Sequence, residues 1–113
     1  MINSYMYGEI IINRRRYVTD LIIYPDRIDV DWGWQRSSEH TVTITDLSAI
    51  IAEHPQYVII GTGNAGRLRV LSETQEYVRA CGIQLVSLPT WRACLLYNKI
   101  GAKGTVGAFH IGC

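Results

Sequence analysis

The chain has 113 residues, 48% of them hydrophobic, and its formal net charge at pH 7 is +1. This length is enough for one domain that buries roughly two-thirds of its unfolded surface without help from disulfides or metal. No apolar run approaches the roughly 20 residues needed to span a bilayer, and no leader of charged and then apolar residues opens the chain. We therefore expect no membrane insertion and a cytoplasmic location.

Two strand-like segments near the start, 8–12 and 17–23, are separated by a polar stretch that suits the tip of a β-hairpin. Arg14, Arg15 and Arg16 lie in that stretch and are expected to be exposed. Three arginines at one turn can contact nucleic acid phosphates, but an almost neutral chain without a wider basic field does not favour that partner. The segment therefore predicts an antiparallel hairpin with a basic tip, and no nucleic acid binding.

The next part of the chain alternates apolar and acidic residues. After a turn at 24–27, Ile28, Val30 and Trp32 alternate with two aspartates, which is the period of a strand with one solvent-exposed face. The pattern breaks at 33–40, where we expect a loop, and a short strand is predicted at 41–44.

The first helical pattern places Leu47, Ile50 and Ile51 on one side and ends before Pro55. It leads to an unbroken apolar run at 57–60, which predicts a strand buried on both faces. Such a strand needs helices above and below it, so the rest of the fold should be organised around it.

Two further helical patterns follow the central strand, each leading to another strand. The sequence from Ser72 has the Ser-x-x-Gln form of a capping box and predicts the start of a helix. A strand is predicted at 83–88, and Thr90 is expected to cap a helix over 91–100. The last predicted strand is 105–111.

The order of these elements predicts the fold class. Strand, helix, strand, helix and strand follow one another from 57 to 111, which indicates parallel pairing with right-handed crossovers. We predict an α/β fold in one three-layer domain over 1–113 with a mixed central β-sheet. Residues 1–45 form its hairpin and strand region, and residues 46–113 form its α/β core.

Several short motifs of the chain occur together in one known family. They are Gly-Glu-Ile-Ile-Ile-Asn at 8–13, Tyr-Pro-Asp at 24–26, Ile-Ile-Gly-Thr-Gly at 59–63, Pro89-Thr90 with Ala93, Tyr97-Asn98, and His-Ile-Gly-Cys at 110–113. With them the chain resembles the small domain of unknown function shared by the adipogenesis-associated domain-containing proteins and a mitochondrial complex I assembly factor. That family usually ends in His-Leu-Thr-Cys, so Gly112 departs from its pattern.

The resemblance implies a three-layer α/β domain with a mixed central sheet and a protruding β-hairpin. It also implies a domain with no established enzymatic activity, whose eukaryotic members act through protein partners. It therefore says more about the fold than about chemistry.

The central strand runs into Gly-x-Gly-x-x-Gly at 61–66, the spelling of a dinucleotide-binding loop. That site requires a helix to begin at the third glycine and an acidic residue about 20 positions later. Here Arg67 to Leu71 intervene before the predicted helix, and the end of the next strand carries no carboxylate. The sequence therefore does not favour NAD or FAD, and no cofactor is predicted.

A small anion or small polar ligand fits this loop better, because backbone amides and a helix N-terminus supply partial positive charge. The alternative is that the glycines only let the strand turn. If the loop is a site, its residues are Gly61, Thr62, Gly63, Asn64, Arg67, Thr90 and Arg92.

The cysteines and histidines offer weak candidates for chemistry. The odd number of cysteines, Cys81, Cys94 and Cys113, predicts reduced thiols, and their spacing fits no zinc site. Cys94 on the last helix is expected to be a small core residue, because a nucleophile needs a nearby base and an exposed setting. His110 and Cys113 alone do not make a metal site. We predict no catalytic or metal-binding residues.

The aromatic pair Trp32 and Trp34, separated only by Gly33, indicates a partner-binding surface, since exposed tryptophans are frequent interface anchors. The same pair could instead cover the end of a small core. The leading hypothesis is a non-enzymatic interaction or assembly-type module that uses Trp32, Trp34 and the Arg14–Arg16 tip. The alternative is a small-ligand protein or enzyme acting at the Gly61-Thr62-Gly63 loop.

Overall fold

The computed structural model describes residues 1–113 and contains ten strands and four helices. The strands are β1 (Ile2–Met6), β2 (Glu9–Ile12), β3 (Arg15–Tyr17), β4 (Leu21–Ile23), β5 (Ile28–Asp29), β6 (Thr41–Val42), β7 (Tyr57–Thr62), β8 (Arg69–Val70), β9 (Gln84–Leu88) and β10 (Thr105–His110). The helices are α1 (Trp32–Gln35), α2 (Ser48–Ala52), α3 (Ser72–Ala80) and α4 (Thr90–Ile100), and a 3₁₀ turn at Thr45–Leu47 precedes α2. None of the helices combines the length and apolar character that a membrane crossing requires.

The main sheet has five strands in the order β5-β4-β10-β7-β9. Strand β7 pairs in parallel with β10 on one side and with β9 on the other, while β4 pairs antiparallel with β10. The parallel pairs are joined through α3 and α4, as expected for βαβ crossovers. The predicted α/β fold with a mixed sheet and a parallel C-terminal half is confirmed.

The core lies on both faces of this sheet, because side chains of a strand alternate between its two sides. Val58 and Ile60 of β7 pack into a cluster that also includes Val78 of α3. Ile59 packs into a second cluster with Ala93 of α4. The apolar run at 57–60 is therefore buried on both faces, as the sequence predicts, and the domain has three layers.

A smaller antiparallel sheet, β1-β2-β3, forms the N-terminal hairpins and covers α4 and one face of the main sheet. The hairpin between β2 and β3 turns at Asn13 and Arg14, which have positive φ angles of 50° and 67°. The predicted single strand at 17–23 is wrong. The chain leaves the small sheet after Tyr17 and enters the main sheet at Leu21, so one apolar segment serves two sheets.

The alternating segment at 28–32 is not a continuous strand. Strand β5 ends at Asp29, and Trp32 begins the short helix α1 inside the predicted loop. Residues two apart share a face in a strand but not in a helix. Because residues Trp32–Gln35 are helical, the side chains of Trp32 and Trp34 do not share one face. The alternation in the sequence does not reveal this.

Two predicted caps are also corrected. Ser72 is the first residue of α3 and makes no capping hydrogen bond, while Gln75 Nε2 donates to the Val70 carbonyl oxygen at 2.9 Å. Thr90 is the first residue of α4 and does not cap it, because its hydroxyl bonds to other elements instead.

Candidate functional site

An open cleft of about 410 Å³ lies where β7 and β10 end. Ligand sites of open α/β sheets commonly lie outside the carboxyl ends of parallel strands, and this cleft occupies that position. Its polar lining comes from four separate segments of the chain and consists of Asp20, Arg36, Glu39, His40, Arg67 and His110.

Asp20 is the centre of the hydrogen-bond network at this cleft. Its Oδ2 lies 2.8 Å from Nη2 of Arg36 and 2.8 Å from Nδ1 of His110. Its Oδ1 accepts from the Ile111 backbone amide at 2.9 Å. One carboxylate thus joins the β3–β4 connection, the segment after α1 and the end of β10.

The environment of Asp20 favours its charged form. Burial of the carboxyl acts against ionisation, but the hydrogen bonds from His110 and the Ile111 amide, together with Arg36, outweigh it and lower the Asp20 pKa. The side chain is only 11% exposed, so these contacts take place largely out of water. Asp20 is therefore an ionised carboxylate near neutral pH.

Arg36 is a buried cation with spare hydrogen-bonding capacity. Its side chain is 4% exposed, and its guanidinium lies over the Trp32 ring at 4.4 Å from the centroid. Nη2 reaches Asp20, whereas Nε and Nη1 are buried without any acceptor. Buried donors are normally paired, because leaving one unpaired costs about 1–3 kcal/mol. Arg36 is thus held between Asp20 and the Trp32 ring, and two of its nitrogens, Nε and Nη1, have no hydrogen-bond acceptor.

Hydrogen bonds hold the segment that consists of α1 and the following Arg36 in place. Trp32 is fully buried, and its Nε1 donates to the Asp46 carbonyl oxygen at 3.3 Å. The Asp46 carboxylate accepts from the amides of Ser37 and Thr43, at 3.2 Å and 2.8 Å. These contacts fix both ends of the segment to the 3₁₀ turn before α2.

Trp34 faces the opposite way and is 85% exposed. Of the two tryptophans predicted to contact a partner, only Trp34 has an accessible ring, because the helical backbone directs Trp32 into the core. The other predicted partner residues are exposed at the hairpin tip, where Arg16 forms an ion pair with Glu9.

The glycine loop after β7 is built around Gly63 and Thr90, two residues that the sequence predicts to belong to one candidate site. The Gly63 amide donates to Thr90 Oγ1 at 2.8 Å, and the Thr90 amide donates to the Gly63 carbonyl oxygen at 3.1 Å. Thr90 Oγ1 in turn donates to the His110 carbonyl oxygen at 2.6 Å. The loop is therefore locked to the start of α4 and to the end of β10.

The other amides of the loop are also bonded inside the protein. Asn64 donates to the Gly112 carbonyl at 2.7 Å, and Ala65 and Arg67 donate to the Cys113 carbonyl at 3.2 Å each. An anion could use these amides only if the loop opened. Arg67 lines the cleft, whereas Arg92 is exposed on α4 outside its lining. Ligand binding at the loop stays a prediction.

Asp20 and Arg36 are absent from the sequence-based candidates. One feature of the sequence indicates Asp20, because its carboxylate interrupts the otherwise largely apolar segment predicted as strand 17–23. No local signal points to Arg36, since its role depends on Trp32 and on a carboxylate from another segment. No group of three or more His, Cys, Asp and Glu side chains comes together to hold a metal ion. Cys94 is buried, which raises its pKa to about 12.

The sequence profile of DUF498, a family of proteins of unknown function (DUF498/DUF598), matches residues 2–110. The chain belongs to this family. The family resemblance drawn from the short motifs of the sequence is confirmed by this match, which extends over nearly the whole chain.

Solved structures share the fold of this family member. A conserved hypothetical protein from Pyrococcus horikoshii OT3 is 24% identical, with a TM-score of 0.86 over 100% of this chain and 99% of that one. A protein from Xanthomonas campestris is 16% identical, with a TM-score of 0.79 over 99% and 84%. A Bartonella henselae protein described as an outer membrane protein is 19% identical, with a TM-score of 0.79 over 99% and 94%. At these identities the similarity concerns the fold alone.

Proposed function

We propose that this domain is a non-enzymatic protein-interaction module, of the kind that assembly factors use, and that Trp34 is the centre of its binding surface. The observation that carries the proposal is the 85% exposure of Trp34. Tryptophan is enriched among the residues that contribute most to protein interfaces, because its ring buries a large apolar area on binding. A partner that covers the Trp34 ring would remove this apolar surface from water.

The backbone that displays Trp34 supports the same proposal. The neighbouring Trp32 is fully buried, and the Asp46 carboxylate accepts a hydrogen bond from the backbone amide of Ser37, shortly after α1. Trp34 is therefore presented from an ordered segment, and its backbone need not be ordered on binding. Preorganisation of this kind reduces the entropic cost of association.

The basic hairpin tip is the second part of the proposed surface. Arg14 and Arg15 are exposed and take part in no ion pair, so their charges are open to an acidic partner. We place the module in the cytoplasm as part of the same proposal, because its cysteines occur as free thiols, which is typical of a reducing compartment.

Affinity capture from a lysate of the source organism tests the proposal. The purified domain is compared with Trp34→Ala and with Trp91→Ala, a matched control because Trp91 is 53% exposed on α4. We expect one or more proteins to be retained by the unmodified domain and by Trp91→Ala, and lost with Trp34→Ala. Equal retention by all three, or no specific retention by any, would contradict the assignment of Trp34.

A small-ligand protein acting at the Gly61-Thr62-Gly63 loop is the second candidate. The observation in its favour is that Gly63, Thr90 and the end of β10 converge beside the cleft that Arg67 lines. Arg67→Ala and Arg92→Ala test whether a ligand lies in the cleft or at the start of α4, because only Arg67 lines the cleft. Loss of ligand affinity with Arg92→Ala alone would locate the ligand at the start of α4.

A further inference from the structure

We propose that the cleft between Arg36, Arg67 and His110 binds a small oxyanion, a carboxylate or a phosphate. This site is distinct from the Trp34 surface and does not depend on the loop amides, which are bonded within the protein. The main observation behind this proposal is that Nε and Nη1 of Arg36 have no acceptor. The position of Arg67 in the lining of the cleft supports it.

Arg36 is the part of the site already held in place. The contacts to Asp20 and to the Trp32 ring fix the guanidinium, while Nε and Nη1 remain without an acceptor. A carboxylate or phosphate oxygen is the strongest acceptor that such a cation can receive. Arg36 is one of the residues that line the cleft, so an oxyanion in the cleft lies next to this side chain.

Arg67 adds a second positive charge to the cleft. Its side chain is exposed, lines the cleft and takes part in no ion pair. The carboxylate of Asp20, by contrast, is engaged by three donors and does not compete for Arg67. An exposed and a buried arginine thus line the same cleft, and the planar guanidinium of arginine can form two parallel hydrogen bonds to a carboxylate or a phosphate.

One charged group of the lining opposes an anion. Glu39 lines the same cleft, and its carboxylate repels a bound oxyanion. Removal of the Glu39 charge should therefore favour binding.

Titration of the ¹⁵N-labelled domain, followed by NMR, tests the proposal with inorganic phosphate and with acetate as separate probes. Chloride at matched ionic strength serves as the control for screening. We expect saturable amide shifts that cluster at Gly33, His40, Arg67 and Ile111 with at least one probe, and no such pattern with chloride. The probe that saturates at the lower concentration identifies the headgroup chemistry.

Arg67→Ala and Arg69→Ala form a matched pair, because both arginines are exposed and only Arg67 lines the cleft. Loss of one charge-assisted contact at a solvent-exposed position should weaken binding roughly fivefold or more in Arg67→Ala. Arg69→Ala should bind within about twofold of the original domain, and Glu39→Gln should bind more tightly.

Arg36→Lys provides the third comparison, because it retains the positive charge toward Asp20 and removes both unpaired guanidinium donors. We expect it to lose affinity as Arg67→Ala does while its remaining amide spectrum stays dispersed. The proposal is overturned if neither probe saturates, or if Arg67→Ala and Arg69→Ala weaken binding equally. If Arg36→Lys proves unfolded, the Arg67 and Arg69 pair decides alone.

Discussion

Asp20 and His110 stand 90 positions apart in the chain and share a hydrogen bond of 2.8 Å between Oδ2 and Nδ1. The next backbone amide, that of Ile111, donates to the other oxygen of the same carboxylate. This contact crosses the β4–β10 pairing and joins the entry of one strand to the exit of the other. It is the basis of the candidate cleft and of the first two predictions.

Asp20→Asn should lower the free energy of unfolding by about 3 kcal/mol, because it leaves the buried guanidinium of Arg36 without a counter-charge. Urea unfolding at pH 7 measures the loss. Asp26→Asn is the control, since the Asp26–Arg27 pair is solvent-exposed and should contribute less than about 1 kcal/mol. Equal effects of the two substitutions would show that Asp20 behaves as a surface carboxylate.

The lowered pKa of Asp20 predicts how its contribution varies with pH. The ordinary value for the carboxyl is 3.8 and the folded value is lower, so its stabilising effect is fully present above 3.8 and is lost as the pH falls through the folded value. The stability difference between the original domain and Asp20→Asn should therefore stay constant from about pH 7 to about pH 5 and then shrink. A difference that grows on acidification would contradict this sign.

Gly63 and Gly82 provide a test of steric fit, because both glycines have positive φ but different surroundings. Both have positive φ, 104° and 82°, but a Cβ at Gly63 would lie 2.3 Å from the Cys113 carbonyl carbon, whereas one at Gly82 would meet nothing within 4 Å. Gly82→Ala should cost about 1–2 kcal/mol from backbone strain alone. Gly63→Ala should cost clearly more and disturb the amides at 110–113, as thermal unfolding and NMR spectra would measure.

Asn98 on α4 shields the outer edge of β1. Its Oδ1 accepts from the Ile2 amide at 2.9 Å and its Nδ2 donates to the Ile2 carbonyl at 2.7 Å. An uncovered strand edge is a template for pairing with a second chain. Asn98→Ala should lose about 1–3 kcal/mol of stability and show concentration-dependent association in sedimentation velocity runs. Asn64→Ala, at an exposed loop position, should do neither.

The three cysteines should differ in reactivity. Cys81 and Cys113 are exposed, while Cys94 is buried and has a pKa raised to about 12. Because the thiolate is the reactive form, we expect two thiols to react quickly with a maleimide at pH 7.5 and the third to react only after unfolding. Intact-protein mass spectrometry counts the modified groups, and rapid triple labelling of the folded domain would argue against the buried position of Cys94.

The sequence by itself determines the elements whose signals are local. The apolar run at 57–60 specifies a strand that must be covered on both faces, and the strands and helices that follow it specify the parallel half of the sheet. These patterns depend on neighbours within a few positions, and burial of their apolar side chains supplies most of the folding energy. The mixed sheet and the three layers could therefore be predicted.

The tertiary structure alone decided what meets at the cleft and which tryptophan is exposed. The segment 17–23 is mostly apolar, yet its division between two sheets depends on β4 pairing with β10, the last strand of the chain. The hydroxyl of Thr90 bonds to Gly63 and to His110 because these pairings bring the three together, although an N-cap is its usual role. Asp20 finds Arg36 and His110 for the same reason, since contacts between distant residues are set by strand order, which no local pattern encodes.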